Sequence, residues 1–340
     1  MNKLIVGIDI AKATFTAATI WQGALSYHGQ AANTAPACSD FAAHIAQLAQ
    51  AVGAASIHLI IEPTGSYEAI WVAEAYRRQW LVTVVNPLAV RTWGQGRGRR
   101  TKTDRQDACL LAQFGAETDP PAQMPMPENA AELDSMLRRQ MDLEKLLRSE
   151  RNRQAQLAGQ TQRSLTVAES LRRTIKALEH ELAAINEAIR QLTSSDAAFC
   201  RQLKQLISVP GIGAKIAPHL LAIFYRFLAR TSGQGTAKQL VAFLGLDPMP
   251  HESGTSVRKR PVISHKGDGV MRSKLYLGAL GGVHGKNHLA EVYRSLLAHN
   301  KAKKLALVAC ARKMLVWAWA VFTKDTTFDS SLFDKKPLPA

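Results

Sequence analysis

Several features that common protein classes depend on are scarce or missing here. Cysteine is one: Cys38, Cys109, Cys200 and Cys310 stand far apart, with no CxxC and no Cys/His pair at metal spacing. That argues against a disulfide scaffold or a zinc module and predicts reduced intracellular thiols. Long unbroken apolar runs are also lacking. The opening "MNKLIVGIDIAKATF" is interrupted by Asp9 and Lys12 too early for a signal peptide. In "LALVACARKMLVWAWAVF", Arg312 and Lys313 fall at the middle, which predicts a buried globular helix rather than a membrane span. Acidic residues are the third shortage. Against 43 Lys and Arg there are 27 Asp and Glu, a formal net charge of +16. Such a balance fits a polyanionic partner, nucleic acid ahead of an anionic membrane surface.

What is present is organised in blocks. A chain of 340 residues with 46% hydrophobic content supports two domains, or three with a helical connector. Over residues 1–118, "KLIVGIDI", "SIHLIIE" and "LVTVVNP" read as strands, and "FAAHIAQLAQAV" and "YEAIWVAEAYRRQ" have helical spacing, so an α/β layer is expected. The proline-rich "DPPAQMPMPE" marks a boundary. Beyond it, residues 128–195 predict a helical coiled-coil connector or a helical hairpin, because Leu171, Ile175, Leu178, Leu182, Ile185, Ile189 and Leu192 alternate steps of four and three. Residues 203–328 read as a mostly α-helical C-terminal domain, and residues 329–340 as a polar tail.

Four acids stand where sites are built. Asp9 in "VGIDIAK" and Glu62 in "LIIEPTGSY" lie at the ends of apolar strands, where a carboxylate needs a ligand, a cation or the sheet edge. Asp104 and Asp107 in "KTDRQDA" share one face of a helix start; an N-cap acid with a first-turn acid is the plainer reading of that pair. Together the four could hold Mg²⁺, since hard cations take oxygen ligands and paired metals clamp a phosphoryl centre. The preceding "VRTWGQGRGRRTKTDR" places Arg97, Arg99, Arg100, Lys102 and Arg105 in a glycine-interrupted loop suited to a phosphate backbone. "SVPGIGAKIA", with Gly211, Gly213 and Lys215, has the Pro-Gly-x-Gly pattern of a helix-hairpin-helix, whose exposed amides can contact phosphate. In "HESGTSVRKR", hydroxyls precede Arg258, Lys259 and Arg260. A serine there needs a base, a metal or a cationic setting to attack a phosphodiester, and no His-Asp relay is evident.

In this order the motifs "GIDIAK", "IEPTGSY", "VNP", "KTDRQDA", "SVPGIGAKIA", "LVAFLGLDP" and "ESGTSVR" resemble the DEDD transposases of the insertion-sequence-110 family, kin to the Piv DNA invertase, over nearly the whole chain. The resemblance implies a RuvC-like (RNase H) domain whose acids are Asp9, Glu62, Asp104 and Asp107 with Mg²⁺ as cofactor. It implies a C-terminal transposase domain whose essential serine maps to Ser253, with Ser256 as the fallback, and which joins DNA through a covalent phosphoserine. It further implies donor and target double-stranded DNA as partners, a structured guide (bridge) RNA, and a cytoplasmic, nucleoid-associated bacterial protein without a membrane partner. The two centres are about 150 residues apart in sequence. A homo-oligomer, dimer or tetramer, with composite active sites is therefore also expected. A metal-dependent nuclease of the Holliday-junction kind, in which Ser253 only contacts phosphate, and a non-enzymatic basic scaffold remain as alternatives.

Overall fold

The computed structural model describes residues 2–63, 65, 67–98, 103–161, 164–253 and 257–332, with the side chains of 250–261 and 332 outside that description. The chain divides into two compact units. One holds the described residues up to Pro125 together with Leu228–Gln234; the other holds the rest.

The first unit is a five-stranded sheet with helices on both faces. Its elements are β1 (Lys3–Ile10), β2 (Thr14–Trp21), β3 (Ala24–Ala32), α1 (Ala35–Ala51), β4 (Ser56–Ile61), α2 (Ala69–Arg77), β5 (Leu81–Val84), α3 (Pro87–Gly96) and α4 (Asp104–Thr118). The spatial order is β3-β2-β1-β4-β5. β1, β2 and β3 pair antiparallel, while β4 and β5 add parallel to β1. Strand alternation sorts the side chains between two cores. Leu4, Val6, Ile8 and Ile10 of β1, with Ile57, Leu59 and Ile61 of β4, face Cys38, Ile45 and Trp71 of α1 and α2. The intervening Ile5 and Ile60 face Ala108, Leu111 and Ala112 of α4.

Glycine sets how closely α4 lies on the sheet. A Cβ on Gly7 would stand 2.3 Å from Ala112 N and 2.4 Å from Ala108 O, so helix backbone rests directly on β1. At Gly115 the same test meets Ile60 and Ile5 side chains. From Ile5 to Gly7 the strand therefore advances while the helix runs back from Gly115 to Ala108: α4 is antiparallel to β1, and its N-terminus lies over the C-terminal end of the strand.

The proline-rich segment runs along the β5 edge before the unit ends. Gln123 N donates to Val82 O at 2.6 Å and Thr83 Oγ1 to Pro121 O at 3.0 Å. With its proton so used, Thr83 receives His58 Nε2 at 2.8 Å. Burial pushes the His58 imidazole down to about 4.

The second unit is mostly helical: α5 (Glu128–Ala158), α6 (Leu165–Ser195), α7 (Ala197–Ile207), α8 (Ala217–Arg230, whose last turn belongs to the first unit), α9 (Ala237–Phe243), a β6–β7 ribbon (Pro248–Ser253, Val257–Ile263), α10 (Gly269–Gly282), α11 (His288–Ala298) and α12 (Lys303–Thr323). α5 and α6 form an antiparallel hairpin within one chain. Their cross-links run in opposite senses: Asn129–Asp196 at 2.9 Å, Gln140–Asn186 at 2.5 Å and Arg151–Glu179 at 2.7 Å. The regular Leu/Ile seam of α6 meets Leu133, Leu137, Leu143 and Leu147, all buried on α5. α12, apolar enough by composition to cross a membrane, packs on α7, α9, α10 and α11 with Arg312 exposed and Lys313 half-buried.

Candidate functional site

The parallel register of β1 and β4 runs from Lys3 opposite Ser56 to Ile8 opposite Ile61. Extending that register by one residue would bring Asp9 of β1 level with Glu62, which directly follows β4. Alternation turns both toward the α4 face, because Gly7 and Ile60 face that side. Backbones of neighbouring strands lie about 4.8 Å apart, so the two carboxylates are neighbours at one sheet end. Two like charges this close need a counter-charge. Arg91 of α3 provides part of it, with its guanidinium 3.9 Å from Glu62 Oε1.

The second acidic pair arrives from above. Asp104 and Asp107 occupy the first turn of α4, the end carried over the C-terminus of β1. The N-cap is Thr103, whose hydroxyl accepts from Gln106 N at 3.3 Å, so neither acid serves as the cap. Asp107 is half-buried and Asp104 exposed. Residues 104, 108, 111 and 115 lie on one stripe, and that stripe is the one pressed to the sheet. The two pairs thus lie toward the same end of the unit, Asp9 and Glu62 at the β1/β4 end and Asp104 and Asp107 on the first turn of α4. Among the described residues no three His, Cys, Asp or Glu side chains form a ready chelating group. The donor set is carboxylate oxygen only, which fits a hard divalent cation such as Mg²⁺ and fits zinc or copper poorly.

The basic stretch before α4 is less of a loop than its glycines suggest. α3 extends through Gly96 and includes Arg91 and Gly94, started by Pro87 and by Asn86, whose side chain accepts from Leu88 N at 3.0 Å. Arg97 follows, stacked 4.5 Å from the Trp93 ring centroid and paired with Glu117 of α4. Arg105 lies 4.8 Å over Tyr27 of β3. Arg99, Arg100 and Lys102 are outside the described residues.

In the second unit the Pro-Gly-x-Gly turn joins α7 to α8. Gly211, at φ +89°, is a packing residue: a Cβ there would stand 2.9 Å from Gly278 O on α10 and 2.9 Å from the Met314 side chain. Gly213 and Lys215 face solvent. Ile216 N and Ala217 N donate back to Gly213 O at 2.9 and 3.0 Å, leaving the Gly213–Lys215 amides as the first-turn donors.

The described parts of "HESGTSVRKR", residues 251–253 and 257–260, belong to the two strands of a β-ribbon, while 254–256 lie outside the described residues. β6 and β7 pair antiparallel with Ser253 opposite Val257, Glu252 opposite Arg258 and His251 opposite Lys259. Ser253 is thus the last paired residue before the tip. Ser256 lies outside the described residues, as do the side chains of Ser253, Arg258, Lys259 and Arg260. The acids belong to the first unit and Ser253 to the second. Sequence reasoning missed the Thr103 cap, although a Thr before "DRQD" is the usual sign of one, and it missed the ribbon, whose Pro-interrupted strands carry little alternation.

Two family models match this chain. One, described as a transposase (DEDD_Tnp_IS110), covers residues 6–163, and the other, Transposase IS116/IS110/IS902 family, covers residues 203–294. Pilin gene-inverting proteins of Moraxella lacunata and Moraxella bovis are each 30% identical over 340 residues, spanning 98% of this chain and 100% of their own. A transposase for insertion sequence element IS1111A from Coxiella burnetii is 27% identical over 165 residues, 46% of this chain and 44% of that one.

Proposed function

The chain belongs to the IS110 family of transposases and is a DNA-recombining enzyme, and from that premise we propose that it cuts and rejoins DNA strands through Ser253 with the help of Mg²⁺. The observation that supports the reading is that α4 runs back over β1, which carries the helix turn holding Asp104 and Asp107 toward the sheet end where Asp9 and Glu62 lie. The sheet order β3-β2-β1-β4-β5, antiparallel then parallel, supports a RuvC-like domain.

Asp9, Glu62, Asp104 and Asp107 would hold Mg²⁺, which when bound neutralises charge on a phosphate and activates an oxygen nucleophile. The Ser253 hydroxyl oxygen attacks the scissile phosphorus; its proton passes to solvent or to the departing strand, which leaves with a free hydroxyl. The phosphoserine ester conserves the linkage, so attack by another strand's hydroxyl rejoins DNA and frees the serine. Arg258, Lys259 and Arg260 follow Ser253 in sequence and offset charge on the phosphate. Arg97, Arg105 and the Gly213–Lys215 amides hold the backbone of double-stranded donor and target DNA. A structured guide RNA, paired with both DNAs, selects the sites. A dimer or tetramer lets one chain's acids serve another chain's serine.

The test is trapping. The protein is incubated with DNA, guide RNA and Mg²⁺ and then denatured; a protein–DNA adduct is expected, and its survival in Ser253→Ala overturns the serine assignment. A second reading, metal-dependent cleavage by water with Ser253 only contacting phosphate, draws on the acids being complete within the first unit. Cleavage that persists in Ser253→Ala and is lost in Asp9→Ala favours it.

A further inference from the structure

Within the second unit, α5, α8 and α10 enclose a cavity of about 140 Å³ whose polar lining is Asp134, Arg138, His219, Arg226, Asp268 and Lys274. The rest of its wall is mainly aliphatic. Most of these charges satisfy one another. Asp134 takes Arg138 at 2.8 Å and Arg226 at 3.7 Å, and Arg226 reaches Asp268 at 4.0 Å. Asp268 Oδ1 also accepts Met271 N at 2.9 Å, capping α10.

Three groups are left over. His219 is 6% exposed, and neither ring nitrogen has a partner among the described residues. Arg226 Nε is buried without an acceptor among them. Lys274 has no ion-pair partner among them. Leaving buried polar atoms unpaired costs on the order of 1–3 kcal/mol each, so a purely structural imidazole would be tied down. His58 is tied down through one nitrogen, Nε2 bonding Thr83 at 2.8 Å while its Nδ1 has no partner among the described residues, whereas His219 has neither. At roughly 30 Å³ per water, the His219 cavity is several waters in size and is polar enough to be filled.

The leftover chemistry selects the occupant. Two aspartates and two arginines cancel, and Lys274 makes the lining net positive. The buried atoms without a partner are the Arg226 Nε–H and the two ring nitrogens of an imidazole that becomes a double donor on protonation, and the half-exposed Lys274 ammonium lines the same cavity. Donors exceed acceptors, and the excess charge is cationic. We propose that this cavity binds a phosphate group, either a phosphodiester of a nucleic-acid backbone or the free ion. Burial and Lys274 hold the His219 imidazole down at about 4, with Asp268 opposing. An oxyanion reverses that balance, so phosphate entry takes up a proton at His219. The proposal is independent of the roles given to the acids and Ser253, and either can fail alone.

The experiment uses full-length protein labelled with ¹⁵N-histidine, the His219 ring signals being assigned by comparison with His219→Asn. Inorganic phosphate and dimethyl phosphate are titrated separately against a sodium chloride control of equal ionic strength. Saturable movement of the His219 signals is expected, weakened about tenfold in Lys274→Met, the worth of one charge-assisted hydrogen bond. A response to dimethyl phosphate identifies a backbone diester as the ligand; a response to inorganic phosphate alone identifies the free ion. Signals that stay still with both, or that move equally in Lys274→Met, overturn the proposal. Lys274 is half-buried, so its removal spares the core. Phosphate-dependent stabilisation against heat, present in the parent protein and absent from Lys274→Met, gives a second readout should His219→Asn fail to fold.

Discussion

The acids and the serine are held by opposite means. Asp9 lies on β1 and Glu62 directly follows the adjacent β4 of a five-stranded sheet, and α4 rests backbone to backbone on β1 at Gly7, one to two turns from its first-turn acids. Ser253 ends one strand of a two-stranded ribbon. A sheet covered on both faces fixes a side chain through many neighbours, whereas a lone two-stranded ribbon is only marginally stable by itself. The comparison sets acids at the end of a covered five-stranded sheet against a serine at the end of a two-stranded ribbon. A metal site needs the first kind of support, because ligand geometry decides occupancy.

The largest effect that can break this comparison is catalytic. Asp9→Asn should lower DNA cleavage by on the order of 10³-fold or more, as should Ser253→Ala, because each removes a group on which the proposed reaction depends. The two should differ in adduct chemistry and in metal response. Raising Mg²⁺ should recover part of the Asp9→Asn loss and none of the Ser253→Ala loss, read as trapped adduct per protein. Recovery of Ser253→Ala by metal would mean that the acids alone do the chemistry.

Packing provides the next test. Gly7→Ala places a Cβ 2.3 Å from Ala112 N and 2.4 Å from Ala108 O, both backbone atoms that cannot rotate away. It should destabilise the first unit by about 3 kcal/mol and lift Asp104 and Asp107 from the strand end, seen as a lower urea midpoint together with lost Mg²⁺-dependent cleavage. Gly213→Ala meets nothing within 4 Å and should leave the midpoint nearly unchanged. Any loss of DNA binding in Gly213→Ala would then report on the turn itself.

These contrasts explain how much the sequence disclosed. Asp9 and Glu62 were legible because an acid ending a run such as "LIVGIDI" or "LIIE" is costly without a purpose. That they stand on neighbouring strand ends was also expected, but the parallel register of β1 and β4 was not legible, since offset is set by the crossover through β2, β3 and α1. The a/d spacing of α6 was plain, but periodicity alone could not say that its partner is α5 of the same chain. The edge strand β3 was hidden because "ALSYHGQAA" is exposed and does not alternate. His219 could not be found at all. One histidine among ten acquires meaning only when three helices close around it and leave its nitrogens unpaired.

The two units also carry matching buried imidazoles, and acid should sharpen the comparison. His58 and His219 are both held down to about 4 against an ordinary 6.5, by burial first and by a nearby lysine second. The unfolded chain binds protons below about 6.5 while the folded chain does not, so each contribution is complete above that pH and is lost as pH falls toward 4. Between pH 6.5 and 5 each should cost about 2 kcal/mol of stability, measured by urea unfolding. His58→Gln should remove the first unit's share. Phosphate should relieve only the second unit's share, since His58 is already bonded to Thr83.

The smallest effect concerns Arg97, which is held within its own unit before any nucleic acid arrives. Its guanidinium lies 4.5 Å over Trp93 and pairs with Glu117, both partners being part of the frame that carries α4. The pair is half-exposed, so Arg97→Ala should change stability by less than about 1 kcal/mol. Its effect on DNA should instead appear in the salt dependence, where losing one phosphate contact lowers the slope of log affinity against log salt by about one. Glu117 and phosphate compete for the same guanidinium, so Glu117→Gln should move affinity the other way, tightening DNA binding at low salt by roughly two- to fivefold. Opposite signs for the two variants, measured over a salt series, would show that the fold holds this cation ready and that DNA must win it from Glu117. Equal slopes in all three proteins would make Arg97 a brace for α4 and no part of the DNA-binding face.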